Sequence, residues 1–182
     1  MKTIRNLLLI SMVITLSACA TRLTKPEGPA QAPETAFRAY ERVILTPITI
    51  SPDFAEHSSN QAARDKMDNY LKQLMSSTFK DVEFEMVDDA SKVVPNGKRT
   101  LVIQPHIKEI KFVNTAARIF AGAMAGGSAV LMEVSMDDIN ANKSIGNPEF
   151  YADASAWSGW GADNKVLNKV IEDINFYFRT NY

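Results

Sequence analysis

The stretch Thr100–Val113, TLVIQPHIKEIKFV, is a long strand candidate. Its apolar residues keep one parity through Leu101, Ile103 and Ile107, then change to Ile110 and Phe112. Alternate residues of a strand face opposite sides, so a change of parity needs one extra residue. A β-bulge is therefore expected around Lys108–Glu109. Pro95-Asn96-Gly97 supplies the turn that leads into the strand.

Working outward, Val130, Met132, Val134 and Met136 alternate with Leu131, Glu133, Ser135 and Asp137, which predicts a second strand. After a turn-forming stretch at Asn140–Pro148, Phe150, Ala152, Ala154 and Ala156 line one side of a further strand. Upstream, Arg42–Ile50 (RVILTPITI) reads as a strand, and Pro47 suggests an edge position or an irregularity. Val82, Phe84 and Met86 alternate with Glu83 and Glu85 in a half-exposed strand.

Three helices fit between these strands. Ala63, Met67, Tyr70, Leu71, Leu74, Met75 and Phe79 recur at helical spacing after candidate caps Ser58-Ser59-Asn60. Asn114-Thr115 can cap a short helix through Ala125. The third runs from Asp163 or Asn164, with Val166, Leu167, Val170, Ile171, Ile174, Tyr177 and Phe178 as its buried stripe. The order β-α-β-β-α-β-β-α predicts an α/β (α+β) two-layer sandwich with a mixed sheet of about five strands. Residues 37–182 form its single domain.

The first twenty residues, MKTIRNLLLISMVITLSACA, follow another logic. Lys2 and Arg5 precede the apolar run Leu7–Leu16, and small residues Ser17 and Ala18 come next, the order of a signal peptide over residues 1–18. The run is too short for a hydrocarbon core of roughly 30 Å. Leu16-Ser17-Ala18-Cys19 resembles the lipobox of bacterial lipoproteins. That resemblance implies cleavage between Ala18 and Cys19, a diacylglyceryl group on the Cys19 thiol, and further acylation such as palmitate at the new amino terminus. Ala20, where inner-membrane retention favours Asp, implies the outer membrane, with the domain on the periplasmic side. Residues 19–36 then read as a lipidated cysteine and a Pro-rich tether carrying Pro26, Pro29 and Pro33. Its reach is on the order of 25 Å as a coil, or about 50 Å if polyproline-like.

Charge and composition narrow the function classes. Twenty Lys+Arg against twenty-one Asp+Glu leave a net charge of −1, which argues against nucleic acid as a partner. One cysteine excludes an internal disulfide or a multi-Cys zinc site, and two histidines leave little for metal or acid–base chemistry. No nucleophile elbow or zincin motif occurs. Asp53, Glu56 and His57 read as a solvated loop, His106 as a structural strand residue, and Asp88-Asp89 and Asp137-Asp138 as turn-stabilising carboxylates.

Arg118-x₃-Gly122-x₃-Gly126-Gly127-Ser128, the strand ending at Asp137-Asp138 and the later Gly159-Trp160 resemble a family of uncharacterised bacterial lipoproteins with a domain of unknown function. The family's usual Asp-x-x-(Thr/Ser)-Gly is replaced here by the longer Asn140–Gly146. The element order is also similar to the periplasmic domains of a penicillin-binding-protein activator and of the curli secretion lipoprotein, a likeness of fold that transfers no activity. Gly122, Gly126 and Gly127 are expected to give a smooth helix face against the sheet and a helix end.

Trp157 and Trp160 are the only tryptophans, and either cap the core or form a partner contact. The expectation is a non-enzymatic, lipid-anchored accessory lipoprotein of the outer membrane. Its partners are the membrane, through the acyl chains on Cys19, and an envelope protein. It has no cofactor beyond the covalent lipid, and no metal. A subunit of an oligomeric secretion or assembly complex is the alternative, and a hydrolase the third class.

Overall fold

The computed structural model describes residues 23–113, 127–154 and 162–182. Within them lie seven strands: β1 (Arg42–Leu45), β2 (Thr49–Ile50), β3 (Glu83–Met86), β4 (Thr100–Lys111), β5 (Ala129–Asp138), β6 (Lys143–Gly146) and β7 (Glu149–Asp153). Three α-helices accompany them: α1 (Pro52–Ala55), α2 (Ser58–Thr78) and α3 (Ala162–Thr180). The sheet runs β3-β1-β4-β5-β6, with β2 also on β4 and β7 also on β5. It therefore has five files, as the sequence suggests, two of them broken. β1 is parallel to β3 and β4, whereas β4, β5, β6 and β7 pair antiparallel.

Each break has a local cause. Pro47 falls between β1 and β2, where its N–H-less nitrogen faces away from β4. The Thr46 N–H still bonds the Ile103 carbonyl, but the Ile48 N–H turns to Asp68 at 2.9 Å, and the ladder on β4 is interrupted there. Beyond Leu45 the file has β4 on one side and, among the described residues, no strand on the other, so Pro47 meets both expectations, an edge position and an irregularity. The β4–β5 register slips between Ile107 and Glu109. That is the expected bulge, and it keeps both Ile107 and Ile110 buried on the core side. Gly97, in the expected turn, has φ +85°, a conformation that favours glycine.

α2 and α3 cover one face of the sheet, forming the second layer. Ala63, Met67, Leu71 and Met75 of α2 meet Val166, Val170, Ile174 and Phe178 of α3 in one core with Leu101, Ile103, Val130, Met132 and Val134. Phe37 enters between the helices, with its ring 4.7 Å from that of Phe178 and 6.4 Å from that of Phe79. Ile44, Val102 and Leu131 are also buried but lie outside that core cluster, at the opposite parity. On their face, Arg42 reaches the Val94 carbonyl at 3.1 Å and Glu85 at 2.7 Å, holding the segment before β4 against the sheet.

Local details differ from the sequence expectation at three places. The cap of α2 is His57, without a side-chain cap bond. Asn60 turns inward instead, donating to the Phe54 carbonyl at 3.1 Å and accepting from the Phe112 N–H at 3.2 Å. Lys143–Gly146 forms β6 inside a stretch expected to be only a turn, because backbone pairing with β5 needs no apolar pattern. Met86 is 57% exposed, while Glu83 and Glu85 are half-buried beside Arg42. β3 is an edge strand whose charges lie over the sheet. The short helix expected through Ala125 falls outside the described residues.

Candidate functional site

The segment before the domain is laid along it as a strap. Leu23 is buried, and the Thr24 N–H donates to Glu109 at 3.2 Å. Lys25 pairs with Asp153 at 3.6 Å and sits 4.9 Å from the centre of the Tyr151 ring. Further on, the Gln31 carbonyl accepts from the Tyr177 hydroxyl at 2.9 Å. The Glu34 N–H donates to the Ile145 carbonyl at 3.0 Å, and its carboxylate pairs with Lys143. The Phe37 N–H then bonds the Asn181 carbonyl at 3.0 Å. The expected irregular, proline-rich chain is present from Leu23, but it is docked rather than extended into solvent.

Between strap, β7 and α3 lies an open cavity of about 630 Å³. Pro26 and Pro29 wall one side; Tyr151, Phe176, Tyr177 and Asn181 wall the other. Its volume is within the usual range for small-molecule sites. Phe176 is 70% exposed at its margin, on the face of α3 opposite the buried stripe. The charged groups at the rim are paired within the protein: Asp173 with Lys169 at 2.7 Å, and Glu149 with Lys108 at 2.6 Å. Burial pushes the Tyr177 phenol up to about 12, so it stays a neutral donor to the strap.

A second cleft, of about 430 Å³, lies where β4 ends, with Leu23 beside Asp53, Phe54, His57 and Phe112. Asp53 and His57 thus share a surface, yet the described residues contain no group of three metal-ligating side chains. Nearby, the Val113 N–H donates to Ser128 at 2.9 Å, and Ser128 donates to Asp163 at 2.5 Å. This buried chain ties β4, the approach to β5 and the first turn of α3 together. Asp163, one of two expected caps, is thereby a buried acceptor.

His106 is held at both ring nitrogens by hydroxyls, Thr49 at 2.8 Å from Nδ1 and Ser51 at 3.0 Å from Nε2. A catalytic triad would place a carboxylate where Thr49 stands. Asp138 is buried at the far end of β5. Arg99 donates to it twice, at 2.8 and 3.0 Å, as do the Tyr40 hydroxyl at 3.2 Å and the Ala141 N–H at 3.0 Å. Asp89 accepts from Ser91 and stabilises a turn.

Cys19, the cleavage point after Ala18, Gly122, Gly126, Trp157 and Trp160 lie outside the described residues. Gly127 is half-buried in coil two residues before β5. β7 ends at Asp153, before Ala154 of the expected strand stripe, and Ala156 lies outside the described residues. The strap and Phe176 were not singled out from sequence. Phe176 offered one signal, a large aromatic outside the stripe of an amphipathic helix.

No protein-family model and no curated protein matches the sequence. Solved structures give distant likenesses. The PelC dodecamer from Paraburkholderia phytofirmans is 14% identical, over 81% of this chain and 94% of that one, with TM-score 0.41. A DUF330 protein from Xanthomonas campestris is 6% identical, over 84% and 91%, with TM-score 0.45. A lipoprotein from Neisseria meningitidis is 11% identical, over 73% and 96%, with TM-score 0.39. These scores are too low for any property of those proteins to be transferred.

Proposed function

We propose that the protein is a lipid-anchored envelope protein that acts without catalysis, through contacts with another envelope protein. The observation that carries this reading is the leader ending in Leu16-Ser17-Ala18-Cys19, followed almost at once by chain docked on the domain. Acylation of Cys19 supplies the attachment, at about 0.8 kcal/mol per buried CH₂. Removing residues 1–18 takes Lys2 and Arg5 from a chain already at −1, so a basic surface is not what holds it to the membrane. No described helix is long and apolar enough to cross a bilayer. Ala20 behind Cys19, where inner-membrane retention would favour Asp, supports the outer membrane, and the reading places the domain on its periplasmic side.

The strap cavity, with exposed Phe176 at its margin, is the surface best suited to a protein contact, since buried aromatic anchors dominate such interfaces. In-cell crosslinking from a photoreactive residue at position 176, followed by purification in detergent, tests it. A discrete envelope protein crosslinked there supports the accessory role. A large ring of this chain alone supports the oligomeric alternative, and no adduct from position 176 removes the cavity from consideration.

A further inference from the structure

Resting on the lipid anchor at Cys19, we infer that the end of the domain carrying Leu23, Asp53 and Lys111 lies directly on the bilayer surface. The opposite end, at Asp138–Lys143, points away from it. The inference comes from where the docked chain begins. Leu23 is buried in the cleft beside Phe54 and Phe112, and from there the strap is tied to the domain at Thr24, Lys25, Gln31 and Glu34. Only Ala20, Thr21 and Arg22 separate Leu23 from Cys19.

Four Cα–Cα steps of 3.80 Å span at most about 15 Å, whatever their conformation. The polar layer on each side of a bilayer takes up about 5–8 Å of that reach. The remainder is narrower than one helix with its side chains, roughly 10–12 Å. No folded partner fits between this end and the lipid. The bilayer is therefore the occupant.

The sheet makes the domain a ruler. β4 runs from Thr100 at the distal end to Lys111 at the anchor end. At about 3.3 Å per residue its twelve residues separate the two ends by roughly 36 Å. Both long helices also begin at the anchor end. α2 starts at Ser58, beside the Asn60–Phe112 bond, and α3 starts beside the Val113–Ser128–Asp163 chain. Their positive dipole ends thus face the phosphate layer, a polarity that favours the anionic side of the headgroups.

The test uses the full chain, processed in cells and reconstituted in phosphatidylethanolamine–phosphatidylglycerol vesicles with headgroup nitroxide-labelled lipid. Thioether formation blocks Cys19, so a single introduced cysteine carries the fluorophore. Asp53→Cys and Lys111→Cys report on the anchor end and Ala141→Cys on the distal end; using two anchor-end positions guards against one failing to fold. The expected result is several-fold stronger quenching at positions 53 and 111 than at 141. Inserting twelve Gly/Ser residues between Thr21 and Arg22 should erase that contrast. Equal quenching at the two ends or stronger quenching at 141 overturns the orientation, and a contrast that survives the insertion overturns the short reach from Cys19 as its cause. Mass spectrometry of the same samples separates the two claims. A lipidated chain with uniform quenching sinks the orientation alone, whereas an unlipidated chain that stays off vesicles sinks the anchor and the orientation with it.

Discussion

The Tyr177 hydroxyl donates to the carbonyl oxygen of Gln31 at 2.9 Å, joining two residues 146 positions apart in sequence. Tyr177 belongs to the buried stripe of α3, and its ring packs edge-on against Phe37, Phe150 and Phe178. The aromatic core thereby presents one polar atom outward, and the strap is fastened to it. Tyr177→Phe keeps the ring and removes the fastening. It should cost about 1 kcal/mol, the usual net worth of such a bond. Amide exchange over residues 24–34 should quicken while that of β4 and β5 is unchanged; identical exchange in the strap would mean that the bond holds nothing.

Asp138 predicts a particular acid response. Burial pushes its carboxyl up, but the Arg99 bonds, the Ala141 N–H and the Tyr40 hydroxyl outweigh this and hold it below the usual carboxylate range. A group lowered on folding stabilises the native state above its unfolded value, near 3.9, and loses that contribution as pH falls through the folded value. Asp138→Asn should therefore lower Tm at pH 7, by a loss on the order of 1–3 kcal/mol. At pH 3 the gap from the wild type should narrow. A constant gap across this range would show that the charge is not what matters.

Tyr40 gives the alkaline counterpart. Burial first, then the negative Asp138, pushes its phenol up to about 12. A raised value makes the contribution complete below pH 10 and lost between about pH 10 and 12. Tyr40→Phe should flatten the alkaline limb of a stability–pH curve. An unchanged limb would assign alkaline unfolding to other groups.

Ile174 and Phe176, two residues apart on α3, should respond in opposite ways. Ile174 is fully buried, so Ile174→Ala should cost about 2–5 kcal/mol through lost transfer energy and a residual cavity. Phe176 is 70% exposed, and Phe176→Ala should leave stability within about 0.5 kcal/mol. Denaturant titration of both variants decides it. A large loss at 176 would mean that the aromatic is a structural wedge and not a contact surface.

Cys19→Ser tests the anchor itself. It should abolish incorporation of a tagged fatty acid and leave the chain uncut before residue 19. Labelling equal to that of the wild type would place the lipid elsewhere.

How much of this could be read from sequence follows from which interactions leave a periodic trace. The stripes of α2 and α3 and the parity switch at Lys108–Glu109 are repeated burial choices, so the sequence displays them. β6 left no trace because it is held by backbone pairing, with Ile145 its one buried apolar residue. The strap hid for a related reason. Its attachments are single contacts made by Leu23, Lys25, Gln31 and Glu34, interrupted by prolines, and such a pattern also describes a free linker. The half-buried charges of β3 escaped because the alternation there marks an edge, where the polar residues are the ones tied down by Arg42 and Lys98.

The strap's path has a consequence for crowding. A protein confined to a surface meets its own copies far more often than in free solution, and exposed strand edges are where such meetings become aggregates. Along β6 and β7 the strap occupies that margin, and Pro26, Pro29 and Pro33 have no N–H with which to extend a ladder. At the opposite margin, β3 is short and carries Glu83 and Glu85. One border of the sheet is thus covered by chain whose prolines have no N–H to offer outward, and the other is a four-residue strand whose carboxylates are already tied to Arg42 and Lys98, so neither presents a long free edge to a second copy.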